Sequence, residues 1–425
     1  MTTRIAGAPR SPYAACMSSI DRCRSCEGTN LETVLDLGTI PLANALLEES
    51  ELAREEKAYP LTLVRCTECA LLQLTENVPG EELFRQYNYR SSFSDTFLRH
   101  CETLARRMTD EHRLGADALV VDIASNDGYL LQFYRSAGVG ILGVEPATNI
   151  ASIAVEKGIE TRNNFFTLAE AEAIVRERGN ADIVHAHNVM PHVEDQRDFA
   201  AGIAALLKQN GVAIIEFAYA LDTIDHTEFD QVYHEHKCYF SLTSFQRLCA
   251  QFGLAVTRVE RLAMHGGSLR VFLGHAAFAA PDETVAQMLK QESAWGVSTA
   301  VPYALFAERT EERKRNLLKL LQDLKAQGKR IAIYGASAKG TTLMNYCGIT
   351  KDLVDYIVDR STLKQGRYTP GTHLKIEPVE HLMTDKPDYV LLLTWNFAEE
   401  IMEQQRAFRE AGGKFIIPVP EIRIA

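Results

Sequence analysis

The amino-acid sequence predicts an α/β protein in three parts: an N-terminal zinc-binding module, a central doubly wound domain and a C-terminal Rossmann-like domain. Three observations carry this prediction. Two Cys-x-x-Cys pairs stand near the N-terminus, and two separate loops each follow an apolar run and open a helical pattern. At 425 residues the chain is longer than one compact core of ordinary size, so two or three domains are expected.

Composition and charge narrow the class of protein and its partners. Hydrophobic residues make up 46% of the chain and charged residues 24%, as in ordinary soluble proteins. No run approaches the ~20 apolar residues of a membrane span. Residues 1–20 lack the apolar core of a signal peptide and are expected to form a disordered tail. The formal net charge of −11 argues against a nucleic-acid surface. We therefore expect a cytoplasmic monomer with neither a nucleic-acid nor a membrane partner.

The first part, residues 21–80, is predicted to bind a structural zinc ion. Its four cysteines, Cys23, Cys26, Cys66 and Cys69, can supply four thiolates to one closed tetrahedral site. A reducing cytoplasm favours a metal over disulfides, and a core of about 60 residues gains stability from such a staple. The alternative is four unlinked buried cysteines. The 39 residues between the two pairs should hold strands or a helix of their own.

Residues 81–275 alternate short apolar runs with amphipathic helical patterns, which is the βαβ order of a doubly wound sheet. The runs are rich in β-branched residues and suit parallel strands that are buried on both faces. Helices are predicted over residues 168–178 and 196–209. Strands are predicted over residues 118–123, 140–144, 182–186 and 212–217.

Residues 276–425 are predicted to form a helical arm followed by a second Rossmann-like unit. Helical periodicity over residues 281–327 stops at Gln327-Gly328. A strand over 330–334 leads into a loop and helix start at 335–342. Further strands are predicted over residues 354–358, 389–394 and 414–418.

The loop 124–128, after the first central strand, fits a methyl-donor site better than a dinucleotide site. A dinucleotide fingerprint uses three glycines to admit a pyrophosphate, and this loop has only Gly128. Asp122 could serve the methionine ammonium of S-adenosylmethionine. Glu145, which ends the next strand, could accept from both ribose hydroxyls, although NAD-binding folds place an acid similarly. The alternative for each acid is a solvated charge at a strand end. The candidate cofactor residues are Asp122, Ser125, Asn126, Asp127, Gly128, Glu145, Pro146, His187 and Asn188.

A cluster of ionisable side chains, Tyr233-His234-Glu235-His236, follows the last central strand. Its spacing fits neither H-E-x-x-H nor H-x-x-E-H, so the helical zinc-hydrolase geometry is absent. In an extended segment Tyr233, Glu235 and Lys237 would face one side, with His234 and His236 opposite, and a turn would relax that separation. A general base is chemically sensible, because neutral imidazole is available near pH 7. The alternative is a pair of surface histidines in a polar loop.

These motifs, in this order, resemble the S-adenosylmethionine-dependent sugar 3-C-methyltransferases of antibiotic deoxysugar pathways, including the tetronitrose type. The resemblance covers nearly the whole chain and includes His265-Gly266-Gly267-Ser268-Leu269-Arg270 and the loop 335–340. It implies a dTDP-linked 3-amino-4-keto-2,3,6-trideoxy sugar as substrate. It also implies that a base removes the C-3 proton before methyl transfer to the resulting enolate.

The resemblance also implies roles for individual residues. His236 would be the base, Glu235 would hold the sugar or orient the base, and Tyr233 would lie near the ketone oxygen. His192 would lie at the cofactor end of the pocket, and Tyr87 would come from a segment that closes over the methyl group.

The C-terminal loop 335–342 should open a helix, where backbone N–H groups can receive the dTDP phosphates. The candidate substrate residues in this part are Ser337, Lys339, Thr341 and Asp359. A NAD fingerprint is the rival interpretation of this loop, but methyl transfer needs no hydride carrier. Two further alternatives stay open for the whole chain: an O- or N-methyltransferase on a sugar nucleotide, and a zinc-ribbon binding module with a degenerate methyltransferase fold.

Overall fold

The computed structural model describes residues 18–84, 91–93, 95–262 and 266–425. Tyr87 and His265, which the sequence analysis singles out, lie outside the described residues. So do residues 1–17 of the expected tail, but the expectation is wrong for the end of that tail. Ser18–Ser19 forms a short strand because it pairs antiparallel with Glu76–Asn77. Within the described ranges, no helix combines the length and the apolar character that a membrane crossing requires.

The N-terminal part is a small antiparallel sheet whose two long strands fill the space between the cysteine pairs. These strands, Leu31–Pro41 and Ala58–Cys66, confirm that the 39 intervening residues hold structure of their own. Cys66 is the last residue of the second strand, so the sheet itself positions one cysteine pair. The elements are β1 (Ser18–Ser19), β2 (Leu31–Pro41), β3 (Ala58–Cys66), β4 (Leu72–Leu74), β5 (Glu76–Asn77) and α1 (Gly80–Phe84).

The central part is a seven-stranded sheet with helices packed on both faces, as predicted for a doubly wound domain. The elements are α2 (Asp95–Glu111), β6 (Leu119–Ile123), α3 (Leu131–Ser136), β7 (Gly140–Val144), α4 (Thr148–Glu156), β8 (Thr161–Arg162), α5 (Leu168–Arg178), β9 (Ala181–His187), α6 (Gln196–Leu206), β10 (Leu207–Ala218), α7 (Ala220–Asp225), β11 (Cys238–Tyr239), α8 (Leu242–Ala250), β12 (Leu254–Leu262) and β13 (Ser268–His275). The strand order is β12-β13-β10-β9-β6-β7-β8, and β13 runs antiparallel to both of its neighbours. The carboxyl ends of β6, β7 and β9 meet at one edge, where ligands bind in open α/β sheets.

The C-terminal part begins with two helices and continues as a six-stranded sheet in the order β16-β15-β14-β17-β18-β19. All its pairings are parallel except the last. The elements are α9 (Glu283–Trp295), α10 (Val301–Ala326), β14 (Ile331–Tyr334), α11 (Ala338–Cys347), β15 (Ile357–Val358), β16 (Ile376–Glu377), α12 (His381–Asp385), β17 (Tyr389–Leu392), α13 (Ala398–Gln404), α14 (Arg406–Glu410), β18 (Lys414–Ile417) and β19 (Arg423–Ile424).

One hydrophobic core joins the N-terminal sheet to the C-terminal part. Leu35 and Leu63 of the N-terminal sheet belong to the same cluster as Phe306 of α10 and Leu391 of β17. The N-terminal sheet thus gains a core from a distant part of the chain, because its own 60 or so residues bury little apolar surface alone.

The segment that carries the histidine cluster lies where the three parts meet. A 3₁₀ turn, Phe229–Gln231, packs against α11 of the C-terminal part. A few residues later, β11 pairs with β4 and extends the N-terminal sheet. The residues between these two contacts are therefore fixed from both sides.

Candidate active site and zinc centre

The four predicted metal ligands converge on one point. Their sulfur atoms all lie within 4.8 Å of one another, and Cys23–Cys69 and Cys26–Cys66 are each 3.5 Å apart. A zinc ion with Zn–S bonds of about 2.3 Å places its four sulfurs about 3.8 Å apart, so the donor set fits a tetrahedral zinc site. All four cysteines are buried or partly buried, which leaves no open coordination position for substrate.

We expect purified protein to contain one zinc per chain, measured by elemental analysis. Cys69→Ser should lower zinc occupancy roughly tenfold or more and lower the melting temperature, because metal binding contributes directly to folding. The matched control is Cys249→Ser, another buried cysteine, which should keep the zinc. A folded wild-type protein without zinc would contradict the prediction.

A cavity of about 640 Å³ opens at the carboxyl edge of the central sheet. Most of its wall comes from the central part, and Lys339 comes from the C-terminal part. The predicted site residues that line it are Asn126, Glu145, Pro146, His187, Asn188, His192, Tyr233, His236 and Lys339. The other described site predictions lie behind the wall or outside it: Asp122, Ser125, Asp127, Gly128, Glu235, Ser337, Thr341 and Asp359.

The loop after β6 has the sharp backbone that close approach of a ligand requires. Ala124, Asn126 and Gly128 all have positive φ angles, of 53°, 48° and 80°. At Gly128 a Cβ atom would stand 2.6 Å from the Ile159 side chain, so only glycine fits there. Asp127 does not face the cavity, because its carboxylate is held by Lys157 at 2.7 Å.

Glu145 is fixed at the cavity wall by two backbone donors. Its two carboxylate oxygens accept from the N–H of Asn126 at 2.9 Å and of Ala147 at 2.8 Å. Burial raises the pKa of Glu145 to about 7, and these two backbone hydrogen bonds only partly offset the rise. Each oxygen keeps a lone pair, so a ligand's hydroxyls can donate to it.

Under the same loop lies a cluster of buried polar atoms that fits S-adenosylmethionine. Among the described residues, both carboxylate oxygens of Asp122, Ser125 Oγ and Asp127 Oδ1 have no hydrogen-bond partner. Burial, and then the nearby Glu145, raise the pKa of Asp122 well above its usual range. Such atoms are costly to leave unpaired, and an ammonium group with its water shell supplies the donors they lack.

The histidine cluster forms a turn, so the alternation expected for an extended segment does not apply. The backbone N–H of His236 donates to the Tyr233 carbonyl at 2.8 Å, and this brings the two side chains together instead of placing them on opposite faces. The Tyr233 hydroxyl lies 2.7 Å from His236 Nε2. His236 Nδ1 lies 3.1 Å from the Gln231 carbonyl, which can only accept, so Nδ1 carries the proton and Nε2 is the basic nitrogen.

His192 lies beside His236, in a 3₁₀ turn after β9. Its ring lies 4.8 Å from the His236 ring, and its Nδ1 donates to the Glu235 carbonyl at 2.8 Å. Burial lowers the pKa of His192 to about 4. The cavity therefore presents His192 as a neutral imidazole at physiological pH.

Glu235 and His234 point away from the cavity toward the N-terminal sheet. The Glu235 carboxylate accepts from Asn44 at 2.5 Å, and burial raises its pKa to about 7. His234 Nε2 lies 3.1 Å from the Pro60 carbonyl. Both side chains thus connect the turn of the histidine cluster to the N-terminal sheet.

A buried chain of polar side chains behind His187 is not predicted from the sequence. Arg270 donates to Glu216 at 2.5 Å and lies 2.8 Å from His100 Nε2. Glu216 lies 3.3 Å from His187, whose other nitrogen lies 2.9 Å from His185. Burial alone raises the pKa of Glu216, but His187, His100 and Arg270 together hold it well below its usual range. The chain thus holds a cavity-wall residue through charged side chains on the neighbouring strands β10 and β13.

The C-terminal loop presents one side chain to the cavity and uses the others internally. Ser337 caps α11 by accepting from the Gly340 N–H at 3.1 Å. Asp359 accepts from the N–H groups of Ala336 and Ser361, each at 2.8 Å, so its carboxylate braces the loop. Lys339 instead reaches the cavity, with its ammonium 5.2 Å from the Trp395 ring centre.

Trp395 connects this loop to the segment that precedes the histidine cluster. Its indole N–H donates to the buried carboxylate of Asp230 at 2.7 Å. Burial raises the pKa of Asp230 to about 6, although the charge of Lys339 and this hydrogen bond oppose the rise.

Two contributors at the site escaped the sequence analysis for different reasons. Gln231 acts through its main-chain carbonyl, which carries no side-chain signal. Lys237 follows His236 in the motif and lines the cavity; its position beside the predicted base is the signal that could have found it.

Three family models match consecutive segments of the chain. They are described as a zinc binding domain (residues 23–84), a methyltransferase domain (94–259) and a C-methyltransferase C-terminal domain (263–420). The C-methyltransferase NovU from Streptomyces niveus is 36% identical over 409 residues, which cover 95% of this chain and 97% of that protein.

Solved structures of methyltransferases resemble parts of the chain more remotely. Magnesium protoporphyrin IX methyltransferase from Synechocystis PCC 6803 with bound SAM is 15% identical over 44% of this chain and 86% of its own, with a TM-score of 0.33. The CcbJ methyltransferase from Streptomyces caelestis is 13% identical, and the match covers 41% of this chain and 89% of that protein, with a TM-score of 0.34. Likenesses with TM-scores this low carry no conclusion about this chain.

Proposed function

This chain belongs to the S-adenosylmethionine-dependent C-methyltransferase family and carries its zinc-binding domain, and on that premise we propose that it methylates C-3 of a dTDP-linked 3-amino-4-keto-2,3,6-trideoxy sugar. The reaction would belong to antibiotic deoxysugar biosynthesis of the tetronitrose type. The resemblance of the motif set in this order supports the substrate class. The geometry of one histidine supports the chemistry.

The observation that carries the proposal is the tautomer of His236. Its Nδ1 proton is directed at the Gln231 carbonyl, so the Nε2 lone pair is the basic site, on a residue that lines the cavity. A carbon beside a ketone is acidic enough to lose its proton to such a base. The Tyr233 hydroxyl holds this lone pair in the structure and would turn toward the substrate when the C-3 hydrogen approaches.

The remaining residues would bind and orient the reactants. When bound, S-adenosylmethionine supplies an electrophilic methyl group. Glu145 would hold its ribose hydroxyls and Asp122 its ammonium group, since these carboxylates lie at the ends of adjacent strands. His192, neutral and in ring contact with His236, would add no positive charge of its own at the methyl-transfer end of the cavity.

Lys339 would bind the dTDP diphosphate from the C-terminal side. It is the cavity-lining residue contributed by the loop at the start of α11, where backbone dipoles also favour an anion. Ser337 and Asp359 would act indirectly, since they shape that loop. Glu235 would orient the catalytic turn through Asn44.

Incubation of candidate dTDP-4-ketosugars with methyl-labelled donor tests this function. We expect mass spectrometry to show one added methyl group, and NMR to place it on C-3 of the 3-amino sugar. Label on oxygen or nitrogen would contradict the proposal in favour of the O- or N-methyltransferase. Tight cofactor binding with no transfer to any 4-ketosugar would also contradict it.

Glu145→Gln should weaken cofactor binding by roughly 1–3 kcal/mol, because a charged acceptor for the ribose hydroxyls is replaced by a neutral amide. Calorimetry measures this change. The matched control is Glu160→Gln, an exposed carboxylate paired with Arg178, which should bind like the wild type. Unchanged affinity in Glu145→Gln would contradict the assignment.

Cofactor affinity should also rise with pH in the wild type. The pKa of Glu145 is raised to about 7, and ribose hydroxyls donate to its charged form. Binding below that pKa must therefore release a proton, which costs up to about tenfold in affinity per pH unit. We expect the affinity to increase from about pH 6 to about pH 8 and then level off. Glu145→Gln should lack this dependence, and an identical pH profile in both proteins would contradict the prediction.

A further inference from the structure

Lys237 is a fully buried cation on the wall of the active-site cavity. Its side chain is 0% exposed, and its ammonium nitrogen has no hydrogen-bond partner among the described residues. Glu194 faces it at 3.6 Å but is half-exposed, and the Glu194 carboxylate also accepts from Asn77. Burial lowers the pKa of Lys237 despite this neighbour. Burying an ammonium group without hydrogen-bond acceptors is unfavourable. A ligand that offers an acceptor to Lys237 would therefore be stabilised.

The charge of Lys237 acts at the end of the cavity that holds the base. Burial lowers the pKa of His192, the hydrogen bond to the Glu235 carbonyl raises it, and the positive charge of Lys237 lowers it further. The His192 ring in turn contacts His236. At the cofactor loop, Asp127 already has its own cation, Lys157 at 2.7 Å. Lys339 enters the cavity from the C-terminal part, beside Trp395. We therefore expect Lys237 and Lys339 to contact different negatively charged groups of the bound ligands.

We propose that Lys237 is a further catalytic residue whose ammonium group donates to the substrate's ketone oxygen as negative charge develops there. This inference rests on the proposed function. When the C-3–H bond breaks, the proton passes to His236 Nε2 and the bonding electron pair moves through C-3 and C-4 onto the ketone oxygen. The product of this step is an enolate with a full negative charge on that oxygen, next to an imidazolium. Lys237 supplies the positive charge opposite the enolate.

Tyr233 alone does not meet this need. Its hydroxyl brings one proton and no charge, and in the structure that proton is directed at His236. Lys237 brings three protons and a charge, and its side chain is shielded from solvent. Removing one such preorganised donor from a developing oxyanion typically lowers kcat by about 10²–10³-fold.

The test compares Lys237→Met, which keeps the length and apolar stem, with Lys319→Met, an exposed lysine on α10. For Lys237→Met we expect kcat to fall about 10²–10³-fold while KM and cofactor affinity stay within about threefold. Exchange of the C-3 hydrogen with deuterated water should slow by the same factor. The melting temperature should not fall, because the buried charge that is removed has only a half-exposed carboxylate as its partner. Lys237→Gln keeps a hydrogen-bond donor without the charge, so its kcat should lie between those of Lys237→Met and the wild type. Lys319→Met should have the kcat of the wild type.

Four outcomes would overturn the inference. Turnover and exchange within about threefold of wild type would exclude an oxyanion role. Weakened cofactor binding with unchanged kcat would assign Lys237 to the cofactor's carboxylate, and a rise in KM alone would assign it to a ground-state anion. A lower melting temperature with parallel losses in every parameter, seen in both Met and Gln variants, would make it structural. Failure of the proposed function is distinct from all four, since the wild type itself would then bind cofactor but neither exchange nor methylate a 4-ketosugar.

Discussion

Replacing His236 by Asn is expected to lower kcat roughly 10²–10⁴-fold, the usual effect of removing a general base. Asn keeps a polar side chain that can still donate to the Gln231 carbonyl, but it has no basic nitrogen in place of Nε2. Because the base acts on the reacting carbon and not on binding, KM for the sugar nucleotide and the affinity for S-adenosylmethionine should change little.

Two measurements separate this role from a structural one. The wild type should exchange the C-3 hydrogen with deuterated water in the presence of a cofactor analogue that cannot transfer a methyl group, and His236→Asn should not. The matched control is His226→Asn, a half-exposed histidine outside the cavity, which should turn over like the wild type. Near-normal exchange in His236→Asn would remove His236 from the role of base and leave Tyr233 and Glu235 to be tested.

Buried strands and amphipathic helices with a clear hydrophobic pattern could be predicted from the sequence with little error. β7 spans residues 140–144 and α5 spans 168–178, as the hydrophobic patterns indicate. The strand predicted over 354–358 shrinks to Ile357–Val358, because its first residues form an irregular bend after the turn at 351–353. A short apolar run does not by itself distinguish a strand from a buried turn.

Contacts between distant segments could not be predicted. Nothing local in Cys238–Tyr239 indicates that it pairs with a strand whose residues lie 165 and 167 positions earlier in the chain. The shared core of the N- and C-terminal parts is equally non-local. The metal ligands were recognisable because their spacing carries the chemistry. The orientation of the side chains in the histidine cluster could not be predicted. A single hydrogen bond from the His236 N–H to the Tyr233 carbonyl decides between a turn and an extended segment.

The same limit applies to Arg270, which stood in a motif without an assigned role. Its three partners are Glu216 of β10, His100 of α2 and Glu260 of β12. The first two are remote in sequence, and Glu260 is one of many charged residues in its segment, so none of them stands out as a partner of Arg270. Only the folded sheet shows that the guanidinium neutralises a carboxylate, Glu216, buried beneath the cavity wall.

Arg270→Met is therefore expected to destabilise the central domain by about 3–5 kcal/mol, the usual effect of breaking a buried ion pair. Arg270 and Glu216 are 5% and 3% exposed, so the carboxylate that remains cannot be solvated without opening the sheet. Because a chain of this size need not unfold in one step, the measurement is native-state hydrogen exchange of the β10 and β13 amides, supported by the melting temperature.

Adding Glu216→Gln to Arg270→Met should recover at least half of that loss, because the orphaned charge is then removed while the volume is kept. Lys319→Met, which breaks an exposed pair with Asp323, should change stability by less than about 0.5 kcal/mol. If Arg270→Met costs less than about 1 kcal/mol, or if Glu216→Gln adds its full penalty to it, the two side chains are not coupled and the buried chain behind His187 does not stabilise the cavity wall. Recovery in the double variant would instead show that the wall depends on charge balance, since packing at both positions is nearly preserved.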